Sequence, residues 1–464
     1  MEQCKETLSV LRFLSGRQPY EMIKLHEKYE VSFSTAQAWR DIYGPRKEPQ
    51  RFIKSEFYDG GRFASEAPSI ITERDPDKHA VWRKQLSTAF SDRTMRGVER
   101  IVARVVDGLG AGATTTTTMT DEPVRGGNVV NIDPFFNMVT FDIMGHMSFG
   151  VEFGCVAKGR LHEWGMFLAA TLRMMSVVDA LKKFPTLGKI GLWLFSKPIN
   201  AILADRDKHE KYSRDLVTMR LENEHPDAND FLSHAIAVQR QAKMPVSKLH
   251  LAAIASDLVI AGTETSATGL AATFYYLHAN PRAVAKLRDE IDAAFPQYAD
   301  ITPAALARLK YLDAVIMEAL RMYPPLPVAL HRLVPPGAIP CTACGCLEGC
   351  YTVSKLDTVV SVNPLAANYS PENFSDPWTY KPERWTDPSC TDDLDACRPF
   401  SLGTRNCIGQ NLAWMEMRMT LAKLLYRFEF ELDNPKLDWH GESRMHSLWE
   451  NPPLWVRIKR RERT

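Results

Sequence analysis

The feature that most constrains the fold is one very long helical stretch, Ser247 to Asn280. It begins after Pro245, with Ser247 as a candidate N-cap, and ends before Pro281. At about 1.5 Å per residue, such a helix would be roughly 50 Å long and would cross a whole domain. Other elements must pack around it, and the sequence therefore predicts a mainly α, helix-rich protein.

The middle of this stretch, "AGTETS", is a weak helical sequence. Glycine and threonine have low helix propensity, and a threonine hydroxyl competes for the carbonyl one turn earlier. Such clusters also bend helices. A local weakness in a strong helix indicates that another group approaches its backbone.

Most of the remaining chain also has a helical pattern. Further helices are predicted at Pro19–Glu30, His79–Phe90, Ser213–Glu224, Arg282–Phe295 and Thr302–Met322. Short strands are predicted at Thr358–Val362 and Leu454–Ile458, which indicates small peripheral β-sheets. Strands and helices do not alternate, and this argues against a doubly wound parallel sheet. The low-complexity segment Gly108–Asn128 is predicted to be a flexible surface loop.

Composition and charge exclude several classes of protein. Hydrophobic residues make up 45% and charged residues 24%, as is ordinary for a soluble globular protein. Lys+Arg 57 against Asp+Glu 56 gives a net charge of +1, so nothing indicates a nucleic-acid partner. The basic run Arg457–Thr464 is interpreted as a solvated tail. No stretch has the ~18 uncharged apolar residues of a spanning helix, and the start lacks a signal-peptide pattern.

The nine cysteines are too few for a disulfide framework in a chain of this length. Four of them cluster at Cys341, Cys344, Cys346 and Cys350. Four thiolates can complete a tetrahedral zinc site, but the spacing matches no common paired pattern. A cysteine-rich loop is the preferred interpretation, and zinc is the alternative.

Cys407 lies in "FSLGTRNCIGQ", directly before a helical run with apolar residues at three- and four-residue steps. Unpaired amides and the helix dipole favour an anion at a helix N-terminus. We therefore expect this thiol to ionise more easily than a free cysteine. The alternative is a small buried cysteine at a turn.

Four stretches together resemble the cytochrome P-450 family. The cysteine-loop signature of that family is matched without departure by Phe400, Gly403, Arg405, Cys407 and Gly409. "AGTET" resembles its oxygen-activation motif, "EALR" its Glu-x-x-Arg helix, and "PERW" supplies the usual arginine partner. Only the cysteine loop is specific alone, but the order and separations of all four also fit. Because these motifs would converge on one cofactor, we predict a single domain, 1–464, with a partly ordered segment at 1–18 and a basic tail at 459–464.

The resemblance implies a haem (heme b, iron protoporphyrin) with Cys407 as its axial thiolate ligand and as the metal ligand. Gly403 and Gly409 would let the backbone pass close to the porphyrin, and Phe400 would keep the sulfur dry. The residues expected to bind the haem propionates are Arg405, His79, Arg83 and Arg332. For the last three, an ordinary surface charge is the alternative.

Glu318, Arg321 and Arg384 would form the structural triad of the family, which braces the cysteine loop; a surface pair three residues apart is the alternative. Ala261 and Gly262 would lie against the distal haem face. Glu264 and Thr265 would be the catalytic pair, with Thr265 donating a hydrogen bond to bound oxygen and Glu264 relaying protons. A threonine that only bonds its own helix backbone is the alternative.

The function implied is a haem-thiolate monooxygenase of the fungal type. It would insert one atom of O2 into an apolar small molecule of secondary metabolism, with electrons from an NADPH-dependent flavin reductase. Exposed basic residues such as Lys84, Arg398 and Arg418 would steer that partner. Pocket walls would include Val259 to Ala261, "PLPVAL" and "SLWENPP".

The chain also departs from the family pattern, because after "LHEKY" it goes directly to "VSFST" without the usual strand pair. Two alternatives therefore stay open: a haem-thiolate isomerase or peroxygenase, and a non-catalytic haem-binding relic. The resemblance places the protein, as a monomer, at the endoplasmic reticulum surface. With no anchor in the sequence as written, a cytoplasmic location is expected if the chain is complete.

Overall fold

The computed structural model describes 33–47, 50–61, 67–87, 89–90, 99–107, 128–165, 196–222, 230–241, 247–335, 359–446 and 448–462. Several expectations fall outside these residues: the helix at Pro19–Glu30, the segment 1–18, almost all of the low-complexity loop, and the cysteine cluster.

Helices dominate the described residues. They are α1 Ala36–Tyr43, α2 Pro76–Ser87, α3 Asp133–Phe149, α4 Cys155–Lys158, α5 Ser196–Glu222, α6 Phe231–Gln241, α7 Lys248–His278, α8 Pro281–Ala294, α9 Pro303–Leu306, α10 Lys310–Met322, α11 Pro364–Tyr369, α12 Gln410–Arg427 and α13 Trp439–Glu442. The strands are β1 Ile53–Lys54, β2 Val129–Asn131, β3 Arg332–Leu333, β4 Val359–Val360, β5 Phe428–Leu432, β6 Arg444–Met445, β7 Trp449–Glu450 and β8 Trp455–Arg460. The predicted mainly α class with small sheets is confirmed.

The long helix α7 is the centre of the core. Ser247 caps it as predicted, because its hydroxyl accepts a hydrogen bond from the amide of His250 at 3.3 Å. The helix packs most extensively against α3 and also contacts α5, α10 and α12. At Gly262, a Cβ atom would come within 2.3 Å of Met144 Sδ on α3. Gly262 therefore permits the close approach of α3, which corrects its expected placement against the distal haem face.

Within the described residues, three small antiparallel sheets lie around the helices. Their strand orders are β1-β3-β4, β2-β8-β5 and β6-β7. In the second sheet Val130 pairs with Val456, and Phe430 pairs with Ile458. These pairings tie residues distant in sequence to one edge of the core.

The C-terminal basic run is partly structured, which corrects its interpretation as a solvated tail. Residues through Arg460 belong to β8, where charged side chains alternate with core residues such as Val456. Arg461 then donates to Asp292 Oδ1 at 3.0 Å. Period-two burial and an acidic partner on α8 explain the order of this segment.

Helix boundaries differ from the predictions at several helices. The helix predicted at Ser213–Glu224 is the second part of α5, which begins at Ser196 and ends at Glu222. The helix predicted at His79–Phe90 is α2, which begins and ends three residues earlier. The stretch Thr302–Met322 is divided into α9 and α10, and Thr302 caps α9. The position before "VSFST", where the usual strand pair was expected to be missing, lies outside the described residues. Just after it, Phe33 forms a bridge with Val362.

Candidate active site

The cysteine loop, defined here as Phe400–Gly409, is a tight turn held by its own backbone. The amide of Cys407 donates to the carbonyl oxygen of Phe400 at 2.9 Å. Gly403 has φ +73°, and a Cβ atom there would lie 2.0 Å from the carbonyl oxygen of Tyr43. Only glycine tolerates both conditions. Gly403 is thus explained by the packing of the loop against α1.

The Cys407 side chain is accessible, whereas the rest of the loop apart from Thr404 is half-buried. Burial of the sulfur by the surrounding protein raises the pKa of this thiol, while the Gly409 amide and Arg83 act in the opposite direction. The expected easier ionisation is therefore wrong for the protein alone. Desolvation outweighs the nearby amide, and α12 begins only at Gln410. A metal at the sulfur would deprotonate it.

Arg83 connects α2 to the cysteine loop. Its Nη1 donates to the carbonyl oxygen of Asn406 at 2.6 Å, and its Nη2 donates to Asn406 Oδ1 at 2.5 Å. Two parallel bonds to one residue fix both the position and the orientation of that residue. Arg83 therefore orients the residue before Cys407, a contact that was not predicted.

Four basic residues lie in or beside this loop, and we call them the cation cluster: buried Lys54, His79 and Arg332, and half-buried Arg405. The pKa of Lys54 is lowered to about 6, mainly by burial and to a smaller extent by Arg405 and Arg332. Burial likewise lowers the pKa of His79 to about 3, with the same arginines, Lys54 and Arg83 contributing. Neighbouring positive charges disfavour the charged form of a buried basic group, and a bound anion would lower this free-energy cost.

The two arginines of the cation cluster are held by main-chain carbonyl groups and, for Arg332, also by a tyrosine hydroxyl. Arg405 donates to the carbonyl oxygens of Glu73 and Arg74 at 2.6 and 3.0 Å. Arg332 donates to the carbonyl oxygen of His331 at 3.0 Å and to the Tyr58 hydroxyl at 3.3 Å. A guanidinium has five donors, so each retains N–H groups for a carboxylate.

The predicted triad of Glu318, Arg321 and Arg384 is brought together in the interior. Both oxygens of Glu318 accept from Arg321, at 2.8 and 2.9 Å, and Oε1 also accepts from Arg384 Nε at 3.0 Å. The Lys381 amide and Trp385 Nε1 complete the set. All three charged side chains are no more than 1% exposed, so the surface-pair alternative is wrong.

The triad braces the segment that leads into the cysteine loop. Arg321 donates to the carbonyl oxygens of Asn368 and Pro377 at 2.7 and 2.8 Å. Arg384 donates to Asp392 and to the carbonyl oxygen of Ser375. The backbone approaching Arg398 is therefore fixed by buried charges.

Glu264 on α7 lies within electrostatic range of a hydrogen-bonded chain of polar groups that begins at Asp133. Burial raises the pKa of Glu264 to about 7, and the carboxylate of Asp133 at the start of α3 adds to the shift. Asn451 Nδ2 donates to Asp133 Oδ1 at 3.0 Å, and the Tyr323 hydroxyl donates to Asn451 Oδ1 at 2.9 Å. A carboxyl with this pKa can hold and release a proton near neutral pH.

Thr265 makes the local bond that had been considered as the alternative. Its hydroxyl donates to the Ala261 carbonyl oxygen at 2.5 Å. The side chain is nevertheless only half-buried, so its oxygen can still accept a hydrogen bond.

Two of the three basic residues expected to steer a reductase already have acidic partners. Arg418 forms a bidentate pair with Asp313 at 2.6 and 2.8 Å, and Arg398 lies 2.5 Å from Asp395. Lys84 is exposed on α2. Of the three, it is the residue best suited to steering.

Sequence reasoning missed Lys54 and Asp133. Each is the ordinary surface type of its charge, and no motif marks it. Lys54 lies in β1 beside Arg332 of β3, and Asp133 joins the site only because α3 packs against α7.

No helix among the described residues is long and apolar enough to cross a membrane.

The chain is similar to known proteins over nearly its whole length. The family described as Cytochrome P450 matches residues 10–455. A cytochrome P450 monooxygenase of Penicillium roqueforti, ORF11, is 39% identical over 92% of this chain and 87% of that protein. The corresponding figures for the monooxygenase BipB of Cochliobolus sativus are 36%, 96% and 87%. The cytochrome P450DA heme domain superposes with a TM-score of 0.75 at 18% identity, covering 92% of this chain and 87% of that one.

The chain therefore belongs to the cytochrome P450 family, and it is an oxidoreductase whose haem carries an axial cysteine thiolate. The residues present fit that group. An accessible thiol lies in a loop with an amide directed at its sulfur. Beside it, Arg405 and Arg332 of the cation cluster offer the positive charge that two propionates require, and the low pKa values of Lys54 and His79 reflect the charge of these arginines.

Proposed function

We propose that this protein is a monooxygenase that inserts one oxygen atom into an apolar small molecule of fungal secondary metabolism, with Cys407 as the haem ligand. The observation that carries the proposal is the accessible Cys407 thiol next to the cation cluster. When bound, the haem supplies oxygen activation, which thiolate donation favours. The fungal monooxygenases among the relatives support this reading, and one of them is named averantin hydroxylase.

The cysteine loop would hold the thiolate in position and limit its contact with water. The Gly409 amide donates toward the sulfur, and Phe400 packs beside the loop against Trp414, with ring centroids 6.2 Å apart. Arg83 fixes Asn406 from the opposite side. Such contacts around a ligating sulfur tune its electron donation.

Glu264 and Thr265 would move protons. The carboxyl of Glu264 exchanges a proton readily near neutral pH, because burial and Asp133 hold its pKa at about 7. The Thr265 hydroxyl, oriented by its bond to Ala261, would accept a hydrogen bond from a water or from the substrate. Positioned acid–base groups typically contribute about 10²–10⁴-fold to a rate.

The electrons would come from NADPH through a flavin reductase that docks beside Cys407, with the protein at the surface of the endoplasmic reticulum as in the family. Lys84 is exposed on the helix that carries Arg83. We expect Lys84→Glu to slow haem reduction at low salt, because rim charges act mainly on association. Lys459→Glu, a reversal on exposed β8, is the control. Equal rates for both variants would remove Lys84 from the docking surface.

The assignment of Cys407 is tested by comparing two serine variants. Cys407→Ser should lose the thiolate absorption of the reduced carbon monoxide complex and product formation, because a hydroxyl cannot replace thiolate donation. Cys397→Ser is the matched control. That thiol is 3% exposed, and burial raises its pKa to about 12. The opposite pattern would make Cys397 the ligand, and product formed without NADPH would favour an isomerase or peroxygenase.

A further inference from the structure

The central part of α7 has one accessible face. Between Leu251 and Leu277 nearly every side chain is buried, but five residues besides Gly262 and Tyr275 remain partly open. They are Asp257, Ile260, Ala261, Glu264 and Thr265, at spacings of three, four, seven and eight residues. This spacing places them on one side of a helix, which we call the open face.

Asp257 differs from the other members of the open face. Ile260 and Ala261 are apolar, Thr265 donates to a backbone carbonyl, and Glu264 is coupled to Asp133. Asp257 Oδ2 is buried and accepts no hydrogen bond from the described residues. An unmet buried carboxylate oxygen is costly and calls for a donor.

The neighbours of Asp257 satisfy only part of this carboxylate. Burial raises its pKa to about 6, while the Ser69 hydroxyl, the Ile71 amide and Lys54 act in the opposite direction. The Lys54 ammonium itself donates to the Ile71 carbonyl oxygen. Within the described part of the chain, Oδ2 of Asp257 is therefore left for another donor.

We propose that Asp257 selects substrates that carry an O–H or N–H donor, a hydroxyl or a protonated amine, on an otherwise apolar skeleton. Four residues of helix place Asp257 about 6 Å before Ala261. A substrate held there by its donor would extend along the open face toward Thr265. This inference rests on the proposed function and names the substrate class of the same site.

A purely structural role is the competing explanation. Asp257 opposes the low pKa of Lys54, so it also offsets the charge of the cation cluster. In that case its loss would weaken haem binding without changing the choice between ligands. The two explanations therefore predict changes in different quantities.

The test uses the haem-loaded protein and matched ligands at about pH 7.5. The probes are geraniol and its methyl ether, 1-dodecanol and its methyl ether, and protonated N,N-dimethyldodecylamine. Dissociation constants come from spectral titration, and haem content is measured separately. The variants are Asp257→Leu, Asp257→Asn and, as the control on the same face, Ile260→Ala.

We expect the wild-type protein to bind an alcohol or the amine about tenfold more tightly than the matching ether, as a charge-assisted bond allows. Asp257→Leu should abolish this preference. Asp257→Asn should keep it for the alcohols and lose it for the amine. Ile260→Ala should change the affinities for alcohol and ether by the same factor.

Two results would overturn the inference: a wild-type protein without any such preference, or a preference that survives in Asp257→Leu. Lower haem content in Asp257→Leu with an unchanged preference would assign the residue to the cation cluster alone. Failure of the proposed function is seen earlier, as a wild-type protein whose reduced carbon monoxide complex lacks the thiolate signature.

Discussion

Glu318 on α10 and Glu416 on α12 are both fully buried, yet their carboxylates have opposite surroundings. Glu318 accepts five hydrogen bonds from two arginines, an indole and an amide. Neither oxygen of Glu416 accepts a hydrogen bond of normal geometry from the residues that the structure describes, although Ser266 is near enough to oppose its pKa shift. The first is surrounded by donors, whereas burial raises the pKa of the second to about 8.

The same contrast separates two regions of the molecule. Behind the cysteine loop, charges are paired and immobile. Around α7, carboxyl groups such as Asp257 and Glu264 are buried with fewer partners, and burial raises their pKa values. Paired buried charges fix a backbone, whereas incompletely paired groups exchange protons or bind a ligand.

The largest effect is expected from breaking the paired region. Glu318→Ala leaves Arg321 and Arg384 buried without their anion, and we expect a loss of about 3–5 kcal/mol in the free energy of unfolding. Urea denaturation measures this loss. Glu383→Ala is the control, because its partner Lys286 is half exposed and such pairs contribute about 0–1 kcal/mol. Similar losses in both variants would mean that the buried triad contributes no more to the free energy of unfolding than an exposed ion pair does.

The second prediction separates a proton-handling threonine from a structural one. Thr265 and Thr273 both donate to the carbonyl four residues earlier, at 2.5 and 2.7 Å, but only Thr265 lies on the open face. Thr265→Ala should keep haem and ligand binding, lower product formation by at least about tenfold, and divert NADPH consumption to hydrogen peroxide. Thr273→Ala should leave the ratio of product to NADPH unchanged. If both variants keep that ratio, Thr265 has only a structural role, through its hydrogen bond to the helix backbone.

A third prediction uses pH to reveal the unpaired Glu416. Its folded pKa of about 8 lies above the ordinary 4.5, so its contribution to stability is complete below pH 4.5 and is lost as pH rises through 8. Glu416→Gln should therefore be about 3–4 kcal/mol more stable than wild type above pH 8, and within about 1 kcal/mol of it at pH 5. Thermal unfolding across this range measures the difference. Exposed Glu442→Gln should show no such pH dependence, and a constant difference for Glu416→Gln would refute the prediction.

The smallest effect is expected at Asp133. Removing its charge in Asp133→Asn should lower the pKa of Glu264, because Asp133 is a secondary cause of the shift after burial. The pH profile of product formed per NADPH should move to lower pH by less than about one unit. Asn451→Asp is the opposing variant and should move the profile to higher pH. An unmoved profile in both would exclude this chain of groups from proton delivery.

Local patterns in the sequence were sufficient for the helical class, for α7 with its Ser247 cap, and for the residues of the triad. Periodicity and capping act over a few residues, and the triad lies within two short motifs. Full burial of the triad was not predicted, because spacing alone equally suits an exposed pair. The split between α9 and α10 was also missed, since the apolar pattern continues across the break.

The site was harder to predict from the sequence than the helices, because tertiary contacts bring its residues together. Lys54 joins the cation cluster through strand pairing, and Gly262 faces α3 because of helix packing. Arg83 was expected to bind a propionate, and its bond to Asn406 has no sequence signature. The raised pKa of the Cys407 thiol arises from desolvation, which a linear sequence does not display.

The central position of β8 between β2 and β5 has a consequence for the order of folding. The amide of Leu454 donates to Asn131 Oδ1, a contact across 323 residues. Contacts of such high sequence separation form late, because a long loop must close before they stabilise anything. During synthesis, β2 must wait for β8, which is made long after it. The start of α3, and with it the carboxylate of Asp133, therefore gains its contacts with Leu454 and Asn451 only after α7 and the cysteine loop have been made.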